Sequence, residues 1–109
     1  MGKNEFNYRG HEVELLFSSY DTNGNTAILL IERDTRDEVA VVTTNTGTSA
    51  SKEIVAIKDY AEGDGMVKFL QENKIIKKEP IHEEPSGYIV IPFYELTEFA
   101  REIQQEQER

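Results

Sequence analysis

The stretch HEVELLFSSYDTNGNTAILLIER, residues 11–33, decides the fold. Its first part alternates: Val13, Leu15 and Phe17 share one face of an extended chain, and Glu12, Glu14, Leu16 and Ser18 share the other. A period of two describes a half-buried strand. Asp21 to Asn25 interrupts it, and Thr26 to Arg33 is a second run in which Ala27 to Ile31 is continuously apolar. An unbroken apolar run of that length suits a central strand covered on both faces. Asn23-Gly24 between two such runs is a strong hairpin signal, because both residues tolerate positive φ.

Working outward, Glu38 to Thr44 is a third run after Asp34-Thr35-Arg36-Asp37, so the front of the chain reads as an antiparallel meander. Glu5 to Arg9 is a candidate short strand, with Phe6 and Tyr8 on one side and Gly10 at its end. Asn45 to Ser51 is rich in Thr, Ser and Gly and reads as a loop. Ile54 to Ile57 is β-branched and reads as a fourth strand. Met66, Phe69, Leu70 and Asn73 then follow i, i+3, i+4, i+7 spacing, which makes a short amphipathic helix over 66–73. Glu62 to Asp64 supply negative charge before it, and Asn73-Lys74 suits its end. Pro80 to Pro85 reads as an acidic loop, and Tyr88 to Ile91 as a last strand stopped by Pro92. Leu96, Phe99, Ala100 and Ile103 mark a second helix with Thr97 near its cap. The expectation is an α+β fold: a mostly antiparallel sheet of about five strands with two helices, ordered β-β-β-β-α-β-α. One domain covers 1–103, including the C-terminal helix, and 104–109 is a polar tail expected to fray.

With 109 residues the chain is sized for one domain. It contains no cysteine, which excludes disulfides, thiolate catalysis and cysteine-ligated metals. The N-terminus, Met1-Gly2-Lys3-Asn4-Glu5, lacks a signal-peptide core, and no apolar run approaches the roughly 20 residues of a membrane-spanning helix. A soluble, cytoplasmic protein is the expectation. Twenty-one acids against twelve bases give a net charge of −9. Residues 59–109 carry twelve acids against six bases, and residues 1–58 nine against six. That balance speaks against direct nucleic-acid binding, where Lys and Arg must replace counterions. It suits solubility, a basic protein partner, or imitation of a nucleic acid's charge.

Few residues point to chemistry. Asp21, Asn23, Asn25 and Glu32 match part of a calcium-loop spacing. Thr26 stands where the sharp-turn glycine belongs, however, and the later half of the loop would be an apolar strand, so the hairpin is the better account. Thr43 to Ser49 offers hydroxyls but no following helix, and a surface loop is its ordinary reading. His11 and His82, the only histidines, have no partner at metal-binding spacing. Lys58-Asp59-Tyr60 is the most suggestive short motif; its ordinary reading is a strand-to-helix connection in which Asp59 satisfies helix-start amides. No metal, cofactor or catalytic residue is assigned. Asn45, Lys58, Asp59 and Tyr60 stand as a candidate surface site, at a mouth formed by 43–51 and 58–60. Leu96, Phe99 and Ile103 stand as candidate partner-binding residues.

Tyr20 to Ile28 (YDTNGNTAI), Thr43-Thr44-Asn45, Ile57 to Met66 (IKDYAEGDGM) and Ser86-Gly87 leading to Ile91-Pro92 resemble an uncharacterised family of short acidic proteins. Its members are typically carried by conjugative elements and phages of Gram-positive bacteria. The resemblance spans roughly residues 10–96. It implies no activity and no site, only the setting of a mobile-element accessory protein. The sequence thus reads first as a non-enzymatic protein-binding module with an unidentified partner, a host factor among the candidates. It would be a monomer or a weak homodimer through the C-terminal helix. The alternatives are an acidic mimic that inhibits a host nucleic-acid-binding factor, and a small-ligand protein or enzyme.

Overall fold

The computed structural model describes residues 3–108, excepting the side chain of Glu62. Its strands are β1 (Phe6–Tyr8), β2 (His11–Ser19), β3 (Thr26–Glu32), β4 (Glu38–Val41), β5 (Ile54–Ala56), β6 (His82–Ser86) and β7 (Ile89–Glu95). Its helices are α1 (Met66–Glu72) and α2 (Glu98–Gln107), with a 3₁₀ turn at Ala61–Gly63. The fold is α+β, as expected, with two antiparallel sheets in the orders β1-β2-β3-β4 and β5-β7-β6.

The meander forms from the residues that announced it. Val13, Leu15, Ile28 and Leu30 bury completely, and β2 pairs β3 from Val13↔Glu32 to Ser19↔Thr26. The hairpin connection is longer than a two-residue Asn-Gly turn. Tyr20 N–H donates to the Asn25 carbonyl and Gly24 N–H to the Tyr20 carbonyl, and of the Asn-Gly pair Gly24 alone takes positive φ (73°). β3 pairs β4 with a register shift: Leu30 faces Ala40 but Ile31 faces Glu38, so Val39 is the extra residue of a bulge. Past the bulge Ala40 and Val41 still pair β3 and Val42 N–H donates to the Ile28 carbonyl, and from there the chain stitches the two sheets together. Thr43 bridges Ile57, Thr44 N–H donates to the Ala56 carbonyl, and Lys58 N–H donates to the Val42 carbonyl.

The second half departs from the sequence expectation. The segment expected as an acidic loop, Pro80 to Pro85, contains most of strand β6, and the last strand runs through Pro92 to Glu95. The described residues therefore form seven strands where about five were expected. Both prolines fit for one reason. The Pro92 carbonyl accepts from Ile57 N–H, so its missing N–H lies on the β5 side, where β5 ends. The Glu83↔Pro92 pair is then not hydrogen-bonded across β6, and Pro85↔Val90, two residues along, is of the same kind. Pro85 thus turns its missing donor to the open edge of β6, where a proline costs the ladder nothing. Ser86 faces Ile89 across a two-residue turn with Gly87 at φ 64°, the first-position glycine of a type II′ hairpin.

The helices close the core. In α1, Met66 and Leu70 are buried, and Phe69 meets the Tyr8 ring edge-on at 4.9 Å. The reading of Asp59 holds: its Oδ1 accepts from Gly65 N–H at 2.7 Å and Met66 N–H at 2.8 Å. Gly63 is required sterically, because a Cβ there would lie 2.5 Å from the Lys58 carbonyl oxygen. In α2, the Thr97 hydroxyl caps the first turn, accepting from Ala100 N–H, while Ala100 and Ile103 bury against the sheets. The helix continues to Gln107, which corrects the expectation of a frayed 104–109 tail over its described part. Gln104 is 2% exposed and donates to the Lys52 carbonyl and Thr26 Oγ1. Gln107 donates to the Leu15 carbonyl and accepts from Phe17 N–H. β1 pairs β2 only as far as Val13. Beyond it, the amides of Gln107 and Asn4 stand in for a neighbouring strand on β2. Among the described residues no helix is long and apolar enough to cross a membrane.

Candidate functional site

The residues singled out from the sequence do not converge. Asn45 is tied to the β2–β3 turn, accepting from Asn23 Nδ2 at 3.1 Å and donating to Thr22 Oγ1 at 3.0 Å. Asp59 is spent on the helix-start amides. Tyr60 reaches Thr44 Oγ1 at 3.4 Å, and the Lys58 ammonium lies 5.9 Å from the Tyr60 ring centre. These are the contacts of a packed connection. Leu96 and Ile103 lie in the main core at 2% and 1% exposure, and Phe99 is half-buried against Phe6. They hold α2 to its own domain and are not presented to a partner. The calcium-like positions are likewise occupied: Asn25 reaches the 48–50 loop, and Glu32 pairs His11 at 3.0 Å. Among the described residues no group of three or more His, Asp or Glu is placed to hold a metal.

Half of the expected mouth survives with a different opposite wall. Register puts Ile54, Ala56, His82, Glu84, Ile89, Ile91 and Phe93 on one face of the β5-β7-β6 sheet, away from the main core. Ala56, Ile91 and Phe93 bury there as a second small cluster with Ile54, Ile89 and Tyr60. The 45–51 loop roofs this face. Asn25 holds it from behind, donating from Nδ2 to the Thr48 carbonyl at 2.7 Å and accepting at Oδ1 from Ala50 N–H at 2.9 Å. Glu84 faces it from in front: the Thr48 hydroxyl, then His82 and the Thr46 hydroxyl, lower the pKa of its carboxyl against the opposing effect of desolvation. Between roof and sheet remains a cleft of about 390 Å³, lined by Thr48, Ser49, Ala50, Ser51, Ile54, Ile81, His82 and Phe93. His82 stands at its side, with Nε2 3.1 Å from Glu84 Oε2 and its ring 5.2 Å from that of Phe93.

Ile81, Glu84 and Phe93 were not singled out from the sequence, and Asn25 only as a calcium-loop position. The signal that reveals Glu84 and Phe93 is Ser86-Gly87-Tyr88: read as a II′ turn, it makes 82–86 a strand, places His82 and Glu84 on one face and sets Phe93 opposite His82. The role of Asn25 has no local signal, because its partners lie 23 and 25 residues away. A polar hollow of about 420 Å³ between Ser18, Ser19, Thr26, Lys52 and Gln107 is another candidate. Its amides and Thr26 are already bonded to backbone, and Lys52 faces Glu108 at 3.6 Å. Comparisons with protein families, curated proteins and solved structures found no match to the chain, so the cleft is judged by its own geometry.

Proposed function

We propose that this protein is a non-enzymatic protein-binding accessory protein, and that it meets its partner with the β6–β7 hairpin and the roofed face beside it. One observation carries the reading. Among the described residues the exposed large apolar side chains are Ile81, Tyr88 and Val90, at 53%, 109% and 57%, all within a ten-residue stretch. Surface apolar groups are ordinary when scattered, and they point to contact when gathered on one element. Pro85 removes a donor from the outer edge of β6, so a partner meets side chains there rather than adding a strand. The setting we propose, an accessory protein of a mobile genetic element acting on a host protein, rests on the sequence resemblance. Capture from a Gram-positive host lysate tests the reading. Tyr88→Ser with Val90→Ser should lose specific partners that the wild type retains, at an unchanged melting temperature. Equal capture by both proteins would overturn it.

A second reading, imitation of nucleic-acid charge, is favoured by Glu98, Glu102 and Glu106. They recur every four residues on α2, so they stand about 6 Å apart along the axis. Against it, Lys3 bridges Glu102 and Glu106 at 3.1 and 2.9 Å. Displacement of this protein from a basic DNA-binding protein by duplex DNA, steepening at low salt, would support it; salt-insensitive binding would remove it.

A further inference from the structure

We propose that the cleft under the 48–51 roof receives one apolar side chain of a partner polypeptide, with a lysine or arginine of the same segment seated beside Glu84. The assignment rests on the protein-binding reading above and names the chemistry of the partner.

The cleft sits at the small end of the roughly 300–1,000 Å³ of ligand cavities, which suits a single anchor more than a drug-sized molecule. Its floor is apolar, formed by Ile54, Ile81 and Phe93, and its roof offers the hydroxyls of Thr48, Ser49 and Ser51. Ile81 is half exposed at the rim, where an incoming side chain would cover it. Apolar anchors in small desolvated pockets carry much of the energy at protein interfaces.

Charge selects the neighbour of that anchor. No lysine or arginine lines the cleft. The nearby ammonium groups are engaged elsewhere, Lys52 with Glu108 at 3.6 Å and Lys77 with Glu95 at 3.1 Å. Glu84 is 20% exposed beside the cleft, with His82 Nε2 3.1 Å from its Oε2. An ionised carboxylate has about four acceptor sites, so its remaining lone pairs leave room for another donor. The opposite face of the hairpin is also negative: after burial, the charges of Asp59, Glu79 and Glu83 are what raise the pKa of Tyr94. A second copy of this chain, itself at −9, would be repelled from such a surface, whereas a basic segment would be drawn to it.

The test is a titration of the ¹⁵N-labelled full chain with end-blocked hexapeptides, read by amide shifts. Each carries one Leu, Phe or Trp beside Lys or Arg in a Gly/Ser background. Twins carry Glu for the base or Ala for the anchor. We expect shifts gathered on Thr48–Ser51, Ile54, Ile81, His82 and Phe93, and at least about tenfold weaker binding of either twin. Raising salt from about 50 to 500 mM should weaken the basic peptides severalfold. Ile81→Ser alters a half-exposed side chain, so it should keep the fold and lose about fivefold in affinity. Shifts confined to Tyr88 and Val90 would remove the cleft assignment while leaving the protein-binding reading in place. Equal binding of the Glu twin would remove the cation. Self-association that protects the cleft would give it to a second copy, and no shift with any peptide at about 1 mM would overturn the proposal.

Discussion

Tyr8 has a buried ring, 5% exposed, whose hydroxyl finds no hydrogen-bond partner among the described residues. An unsatisfied buried hydroxyl costs its desolvation with no return. Tyr8→Phe keeps the edge-on contact with Phe69, so it should be neutral or stabilising by about 1 kcal/mol in urea denaturation. Glu84 gives the opposite case, a carboxyl whose charge is used. Its folded pKa lies below its unfolded one, so its contribution is complete above the ordinary carboxylate range and is lost as pH falls through the folded value. Amide exchange at 46–50 should therefore speed up on acidification beyond the intrinsic pH dependence of exchange. Glu84→Gln should show the faster exchange already at neutral pH, and should flatten that dependence. A flat profile in the wild type would mean that the roof is held by Asn25 alone.

Among the elements, α2 is the one whose role most exceeds its pattern. Its apolar stripe is narrow, but Ala100 and Ile103 are essentially buried, as is Leu96, which lies just before the helix and bridges Ile76. Ile103→Ala should cost about 3 kcal/mol, the usual range for a large-to-small change in a packed core. Thr97 caps the helix and also donates from its hydroxyl to the Lys74 carbonyl at 2.6 Å, joining α2 to the end of α1. Gln104→Ala leaves the Lys52 carbonyl and the Thr26 hydroxyl short of a buried donor, at a cost of about 1–3 kcal/mol. Gln107→Ala exposes the open edge of β2 to water and should cost less than about 1 kcal/mol, because its partners can be rehydrated. Chemical denaturation midpoints of the three variants give the order Ile103→Ala, Gln104→Ala, Gln107→Ala. Equal effects would mean that α2 frays as a unit.

At the scale of the whole molecule, the radius of gyration of 13.1 Å is that of one compact unit of about 100 residues. The apolar side of α2 faces inward, with Ala100 and Ile103 buried and Phe99 half-buried against Phe6. Sedimentation should give a monomer at micromolar concentration, at low and at high salt. A dimer that survives deletion of the Tyr88 and Val90 side chains would contradict this. The sequence by itself determined the meander, both helices, the Thr97 cap and the duty of Asp59. Each of these is a local pattern whose period or spacing reports its own environment. It also marked 45–51 as a loop, and so reached one wall of the cleft. The β6–β7 hairpin was not legible, since two prolines mask a strand unless the neighbour that leaves their missing donors unneeded is known. The Gln-rich tail read as solvent-facing because polarity alone does not show that an amide can replace a strand. Tertiary structure alone decided these points: which side each proline faces, which backbone each glutamine completes, and that Asn25 holds the 48–50 loop while Glu84 faces it across the sheet. A hydrogen bond between residues far apart in the chain leaves no periodic trace in sequence.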